Sequence, residues 1–103
     1  MHPLIQSRLN EVSTLCAKHH VHRLALFGSA LSERFDLATS DLDVLVEFQP
    51  MHPGQHADSY FGLPEDLQQL LEFPIDLVVP DAIHNPYFRQ GITQNQVVLY
   101  EAA

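Results

Sequence analysis

The chain has 103 residues, of which 46% are hydrophobic; this suits one globular domain with a buried core and excludes wholesale disorder. Its net charge of −8, with only five Lys and Arg residues, excludes the broad basic surface with which many proteins grip a nucleic-acid backbone. The one cysteine, Cys16, excludes an internal disulfide framework.

The N-terminal residues show no signal-peptide apolar core, and no apolar run approaches the length of a membrane span. No internal repeat, linker or low-complexity segment divides the chain. We therefore expect residues 1–103 to form a single cytoplasmic domain, with no membrane association and no direct nucleic-acid binding.

The first predicted element is a helix from about Pro3 to His19. Apolar residues recur there at three- and four-residue steps, which places them on one helical face, and proline suits the first turn. These positions are Leu4, Ile5, Leu9, Val12, Leu15 and Cys16. We expect Cys16 to be buried in the packing of this face.

Two short strands are predicted next. Arg23 to Phe27 is an apolar run that Gly28 ends, which indicates a buried strand. A short helix is expected over Ala30 to Arg34, followed by a turn before residue 41. Leu42 to Phe48 is the second strand, and its Val and Leu residues at both parities favour burial on both faces.

A loop and a second helix follow. Gln49 to Gln55 is expected to be a loop because of its prolines and glycine. Pro64 is expected near the start of the helix, and Pro74 ends it. The apolar helical face consists of Tyr60, Leu63, Leu67, Leu70 and Leu71.

The last predicted elements are a strand, a short helix and an edge strand. Ile75 to Val79 is the third strand, the helix lies around Asn85 to Gly91, and Gln96 to Tyr100 is a candidate edge strand. The predicted fold is a small α/β domain. It has a mixed sheet of three to five strands with helices mainly on one side.

The chemistry-bearing residues lie where these strands begin and end. Asp41 and Asp43 open the second strand, and because strand side chains alternate, they project from one side, roughly 7 Å apart. Two carboxylates so close either raise each other's pKa or require a cation between them. Mg²⁺ meets that need, since it takes carboxylate oxygens together with substrate phosphates. Upstream, Gly28 allows close backbone approach to a ligand, and Ser29 can begin a helix whose N–H groups favour phosphate. These residues indicate a site for a metal and a nucleoside triphosphate.

The ordered set Gly28-Ser29, Asp41-x-Asp43 and a third acid, Asp76, on a later strand resembles the minimal nucleotidyltransferases of the DNA polymerase β superfamily. The resemblance covers roughly residues 21–100. The spacer before Asp41 holds eleven residues, one more than the usual family pattern, so its loop should differ locally. The resemblance implies the polymerase-β-like nucleotidyltransferase fold for the whole domain.

The resemblance also implies roles for these residues. Asp41, Asp43 and Asp76 would be catalytic and would bind metal, with two Mg²⁺ ions expected, and Asp76 would also assist deprotonation of the attacking hydroxyl. The triphosphate would be held by Gly28 and Ser29. Arg34, in the spacer, can either contact a phosphate oxygen or pair with a neighbouring acid. The substrate would be ATP, attacked at the α-phosphate with release of pyrophosphate.

Other uses of an Asp-x-Asp pair fit worse. Phosphatases of the haloacid dehalogenase type place the pair after an apolar strand, whereas here the apolar run follows the acids. A calcium-binding EF-hand loop needs a glycine at its sixth position, where this chain has Val46. Gly28-Ser29-Ala30 lacks the Gly-Lys-Ser/Thr ending of a Walker loop.

The histidines are a further candidate site, this time for a transition metal. His19, His20 and His22 cluster, and His52 and His56 are four residues apart. No cysteine cluster accompanies them, so structural or solvent-exposed roles are the expectation.

The resemblance leaves three functions open. The first is metal-dependent transfer of a nucleoside monophosphate, AMP from ATP, to a protein partner. By resemblance this partner is a HEPN-domain toxin, which makes the chain the antitoxin of a toxin–antitoxin pair. The second is a catalytically weak module that neutralises such a toxin by complex formation. The third is adenylylation of a small molecule.

Overall fold

The computed structural model describes residues 3–27, 42–80, 85–87, 90 and 96–102. Three helices and four strands are present in these residues. In chain order they are α1 (Pro3–Ser7), α2 (Leu9–Lys18), β1 (Val21–Phe27), β2 (Leu42–Phe48), α3 (Pro53–Leu71), β3 (Ile75–Val78) and β4 (Val97–Glu101). None of the helices in the described residues is long and apolar enough to cross a membrane.

The strands form one mixed sheet in the order β3-β2-β1-β4. β1 is antiparallel to both β2 and β4, whereas β2 and β3 are parallel and are joined through α3. β4 is an edge strand and β2 has the predicted bounds. The predicted mixed α/β fold is confirmed.

One hydrophobic core joins the helices to one face of the sheet. Alternate residues of β2, Leu42, Val44 and Val46, are buried there against Leu63 and Leu67 of α3. The intervening residues of β2 are only half-buried. The prediction that β2 is buried on both faces is therefore wrong, because the described helices pack against a single face.

Cys16 is fully buried in this core, as predicted. Burial in apolar surroundings disfavours the thiolate and raises the pKa of the Cys16 thiol to about 12. The Cys16 side chain is therefore a packing group.

The first helix divides at Arg8, contrary to the single helix predicted over Pro3 to His19. Arg8 has a non-helical backbone (φ −110°, ψ 12°), and its N–H donates to the Ile5 carbonyl at 3.1 Å, closing a tight turn. Ile5 before the break and Val12 after it are buried in the same core. Packing, which sequence periodicity does not report, decides where the helix divides.

α3 differs from its prediction at its start and at Pro64. It begins at Pro53, within the predicted loop, because proline suits the first helical turn and His52 Nδ1 accepts a hydrogen bond from the Gln55 N–H at 3.4 Å. Pro64 lies well inside the helix. An interior proline costs about 3 kcal/mol, and burial of Leu63 and Leu67 on either side of it offsets that cost.

The turn between α2 and β1 is held against α3. His19 is buried, and its Nε2 donates to Asp66 Oδ2 at 2.6 Å, while Lys18 Nζ lies 3.2 Å from the same oxygen. His20, at φ 58°, adopts the left-handed conformation that reverses the chain into β1. The α2–β1 turn thereby docks onto the middle of the long helix.

Two predicted elements between the strands cannot be compared with the structure. The short helix over residues 30–34 and the following turn lie outside the described residues, as do most of residues 85–91.

Candidate functional site

Two of the predicted acids, Asp43 and Asp76, are neighbours on adjacent strands of the sheet. Asp43 of β2 is the register partner of Asp76 of β3 in the parallel ladder. Neighbouring strands are about 4.8 Å apart, and register partners project from the same face. The two carboxylates therefore stand side by side near the amino ends of two parallel strands.

The backbone around the acids fixes this alignment. The N–H of Leu42 donates to the Pro74 carbonyl at 2.8 Å, which ties the start of β2 to the residue before β3. Since strand side chains alternate, a slip of one residue would turn Asp76 to the opposite face. A single register thus decides whether the two acids can share a ligand.

The acids project from the sheet face opposite the described helices. Leu42 and Val44, which flank Asp43, are buried in the core, whereas Asp43 is half-buried and Asp76 is exposed. Both carboxylates can be approached from that face without disturbing the core.

The end of β1 adjoins the acid pair. Phe27, the last residue of β1, is the register partner of Asp43 and is 5% exposed. It packs with Leu45 and Val78 in a small apolar cluster on the same face. Sequence reasoning did not single out Phe27; its position directly before Gly28 was the available signal.

The other predicted site residues are Asp41, Gly28, Ser29 and Arg34. All four lie outside the described residues. Their assignment, and the meeting of three acids at one metal, therefore remain predictions. Within the described part of the chain, no three metal-ligating side chains come together.

The histidines take separate positions. His19 is tied to Asp66, and His20 Nε2 lies 3.0 Å from the side-chain nitrogen of Gln55. His52 caps α3, while His56 packs edge-on against Phe48, with ring centroids 5.2 Å apart.

The pair Asp43–Asp76 has the donor chemistry of a hard divalent cation. Carboxylate oxygens are the ligands that Mg²⁺ prefers, and two side chains leave coordination positions for water and phosphate oxygens. Two carboxylates held together on an accessible face repel each other unless a cation lies between them. The described residues thus fit such an ion.

Comparison with known proteins places this sheet in a family. The sequence profile described as "nucleotidyltransferase domain" matches residues 9–99, a range that includes all four strands up to Leu99 and both aligned acids. Two curated relatives from Methanocaldococcus jannaschii, each named "putative protein adenylyltransferase", are 35% and 36% identical to the chain over 81 residues. In both cases the match covers 78% of this chain and 78% of the relative.

Solved structures share the fold. A chain described as a "putative minimal nucleotidyltransferase" superposes with a TM-score of 0.73 at 28% identity, covering 90% of each chain. A toxin–antitoxin structure with AMP-PNP superposes with a TM-score of 0.67 at 19% identity. The match covers 91% of this chain and 73% of that one. A complex of tri-AMPylated Shewanella oneidensis HEPN toxin with MNT antitoxin contains a chain that superposes with a TM-score of 0.62 at 18% identity. The match covers 94% of this chain and 72% of that one. The last two, at such low identity, show the fold alone.

The predicted resemblance is therefore confirmed at the level of family and fold. The profile match spans most of the chain, the curated relatives exceed 30% identity over more than two thirds of it, and the acid pair lies within both the matched profile and the sheet. The chain belongs to the nucleotidyltransferase domain family.

Proposed function

We propose that this protein transfers AMP from ATP to a partner protein in a divalent-metal-dependent reaction, and that the partner is a HEPN-type toxin. The observation that carries the proposal is the alignment of Asp43 with Asp76 in a chain of the nucleotidyltransferase family. The names of the curated relatives support a protein acceptor. Nucleotidyl transfer needs mainly positioning and charge neutralisation, which carboxylates on a rigid sheet supply.

Asp43 and Asp76, with Asp41, are the residues that would hold the metal. When bound, Mg²⁺ supplies charge neutralisation for the triphosphate and for the oxygens that enter and leave phosphorus. Gly28 and Ser29 bind the triphosphate through backbone N–H groups and a hydroxyl.

The reaction exchanges one phosphorus–oxygen bond for another. The acceptor hydroxyl oxygen bonds to the α-phosphorus, and the bond from the α-phosphorus to the bridging oxygen of the β-phosphate breaks. Pyrophosphate carries away the electron pair of that bond. Asp76 accepts the hydroxyl proton, which its exposure on the site face allows.

A toxin as acceptor is supported by the solved structures that share the fold. One is described as a toxin–antitoxin with AMP-PNP, and another contains a tri-AMPylated HEPN toxin with its MNT antitoxin. The charge of −8 suits a partner with a basic surface, since complementary potentials speed association.

The test is transfer of label from α-labelled ATP to the HEPN-type protein encoded beside this gene, followed by mass spectrometry. We expect Asp43→Asn and Asp76→Asn each to lower the rate by about 10²–10³-fold, as loss of a strong electrostatic contact in an active site does. Chelation of the metal should abolish transfer. Asp58→Asn, at an exposed position of α3 outside the site, is the matched control and should transfer normally.

An Asp76→Asn variant as fast as wild type would remove Asp76 from the site while leaving Asp43 in it. If no protein is labelled and a small molecule is adenylylated instead, the acceptor class is wrong.

A second candidate, neutralisation by complex formation, is favoured by the toxin–antitoxin complexes among the structures of the same fold. The double variant Asp41→Asn, Asp43→Asn separates the two candidates because it removes charge but little volume. If it neutralises the toxin as well as wild type does, covering the toxin is the mechanism.

A further inference from the structure

Phe27, the last residue of β1, lies in one row with the two acids. It is the register partner of Asp43, which in turn is the register partner of Asp76, so the row crosses β1, β2 and β3. Register partners project from the same face of a sheet. An aromatic side chain therefore stands beside the acid pair, on the side of Asp43 that is away from Asp76.

The Phe27 side chain reaches across the sheet behind the acids. It packs against Leu45 and Val78. Each of these lies two positions beyond one of the acids along its strand, and therefore on the same face. Because two strand spacings separate β1 from β3 by roughly 10 Å, the ring has to extend over β2 to meet Val78. The three side chains form an apolar wall along the inner side of the acid pair.

Solvent exposure increases along the row. Phe27 is 5% exposed, Asp43 is half-buried and Asp76 is exposed. The carboxylate next to the ring is thus the more shielded of the two, and the farther one is open to solvent. The two acids have different surroundings, although both belong to the proposed metal site.

Partial burial of Asp43 beside the ring favours metal binding in two ways. The apolar shell of a metal site controls solvent access and the local dielectric, and a cation attracts a carboxylate more strongly where water is excluded. The wall also limits the conformations of the Asp43 side chain, so less entropy is lost when an ion binds. Both costs are met when the chain folds rather than when the ion arrives.

We propose that Phe27 is a positioning residue for the metal site. Its ring holds Asp43 in place as the fixed ligand and closes the inner side of the acid pair. Asp76, which is exposed, keeps the freedom to take the proton of the acceptor hydroxyl. The inference rests on the proposed function in taking Asp43 and Asp76 to bind the metal. It does not depend on which molecule accepts AMP.

The test measures binding of Mn²⁺ to the full chain, without ATP or an acceptor. Mn²⁺ takes the same oxygen ligands as Mg²⁺, and the free ion is counted by electron paramagnetic resonance. Phe27→Leu keeps an apolar side chain that is too short to cover β2. We expect it to weaken Mn²⁺ binding about 10-fold, the lower end of the range for loss of a group that supports metal ligands. Phe27→Met restores the length of the side chain and should recover most of the affinity.

Leu26→Val is the matched control. Leu26 is the preceding residue of β1 and is fully buried in the core on the opposite face of the sheet. Leu26→Val and Phe27→Leu each remove part of one buried side chain and leave an apolar one, so both should fold, which urea unfolding checks. Leu26→Val should lose stability as Phe27→Leu does, yet bind Mn²⁺ with wild-type affinity.

Wild-type Mn²⁺ affinity in Phe27→Leu would overturn the proposal, as would an equal loss of affinity in Leu26→Val. A wild-type chain that does not bind Mn²⁺ would also overturn it, because the wall would then have no metal site to support. This outcome is separate from that of the proposed function. Metal binding that depends on Phe27 can be found where no AMP is transferred, and transfer can be found where Phe27 does not affect the metal.

Discussion

At the residue scale, ionised side chains of this protein serve two different purposes. Asp43 and Asp76 are held side by side on an accessible sheet face, where their repulsion suits a cation. Asp66 lies on α3 away from this face, and His19 and Lys18 both contact its Oδ2. The first arrangement is suited to ligand binding and the second to fixing a turn.

The contacts of Asp66 should make the stability of the fold depend on pH in the acidic range. The hydrogen bond from His19, aided by Lys18, lowers the pKa of the Asp66 carboxyl below its ordinary value. A carboxyl with a lowered pKa in the fold adds stability that is fully present above the unfolded pKa of about 3.9 and is lost as pH falls through the folded pKa. We expect Asp66→Asn to be less stable than wild type at pH 7 and to lose less stability on acidification below about pH 4.

Urea unfolding at pH values from neutral to strongly acidic measures this difference. Glu65→Gln, at the exposed neighbouring position on α3, is the control and should follow the wild-type profile. Parallel profiles for Asp66→Asn and wild type would show that the contact does not stabilise the fold.

At the element scale, α3 contains two glycines in opposite surroundings. A Cβ added at Gly54 would meet nothing within 4 Å, whereas one at Gly62 would stand 2.8 Å from His19 Cε1. The His19 ring is held by Asp66, so it cannot move without losing that hydrogen bond. Gly62 therefore permits the close approach of the α2–β1 turn to the helix.

Alanine at these two positions should have opposite effects. Alanine exceeds glycine in helix propensity by up to about 1 kcal/mol, so Gly54→Ala should be neutral or stabilising by that amount. Gly62→Ala should destabilise by about 1–2 kcal/mol because overpacking outweighs propensity. Chemical denaturation of both variants measures the free energies of unfolding.

A third variant tests the cause. In the double variant Gly62→Ala, His19→Ala the clash is absent, so the alanine at position 62 should no longer destabilise relative to His19→Ala alone. If Gly62→Ala lowers the free energy of unfolding equally with His19 and with alanine at position 19, then the His19 side chain is not the group that clashes.

At the scale of the whole molecule, the exposure of the sheet face that carries Asp43 and Asp76 bears on how an acceptor would be positioned. Asp76 is exposed, and in the described residues no helix packs over the face that carries both acids. Positioning the acceptor is a large part of such a reaction's acceleration. Under the proposed transfer to a protein, the acceptor would supply part of that positioning.

We therefore expect the isolated protein to transfer AMP to water or small alcohols very slowly. Addition of the correct protein partner should raise turnover by orders of magnitude and should label one or a few of its residues. Single-turnover assays with and without that partner measure the ratio. Rapid adenylylation of a free small molecule without any protein would contradict this expectation.

The sequence by itself determined the family and the sheet. Gly28-Ser29, the acids and the apolar runs around them are local patterns, and local patterns suffice to predict β2 at Leu42–Phe48 and a mixed sheet. Local patterns did not suffice where long-range packing competes with propensity. Pro64 lies inside α3, and the first helix breaks at Arg8, because burial on either side outweighs local preference.

Only the tertiary structure decided which residues meet. The alignment of Asp43 with Asp76 depends on the register of two strands joined through α3. The docking of His19 on Gly62 likewise brings together residues that are distant in sequence. Periodicity tells which face a residue occupies, but not which residue of another strand lies opposite. The register of the strands decides which residues lie opposite each other. It is set by packing and by hydrogen bonds such as that from the Leu42 N–H to the Pro74 carbonyl.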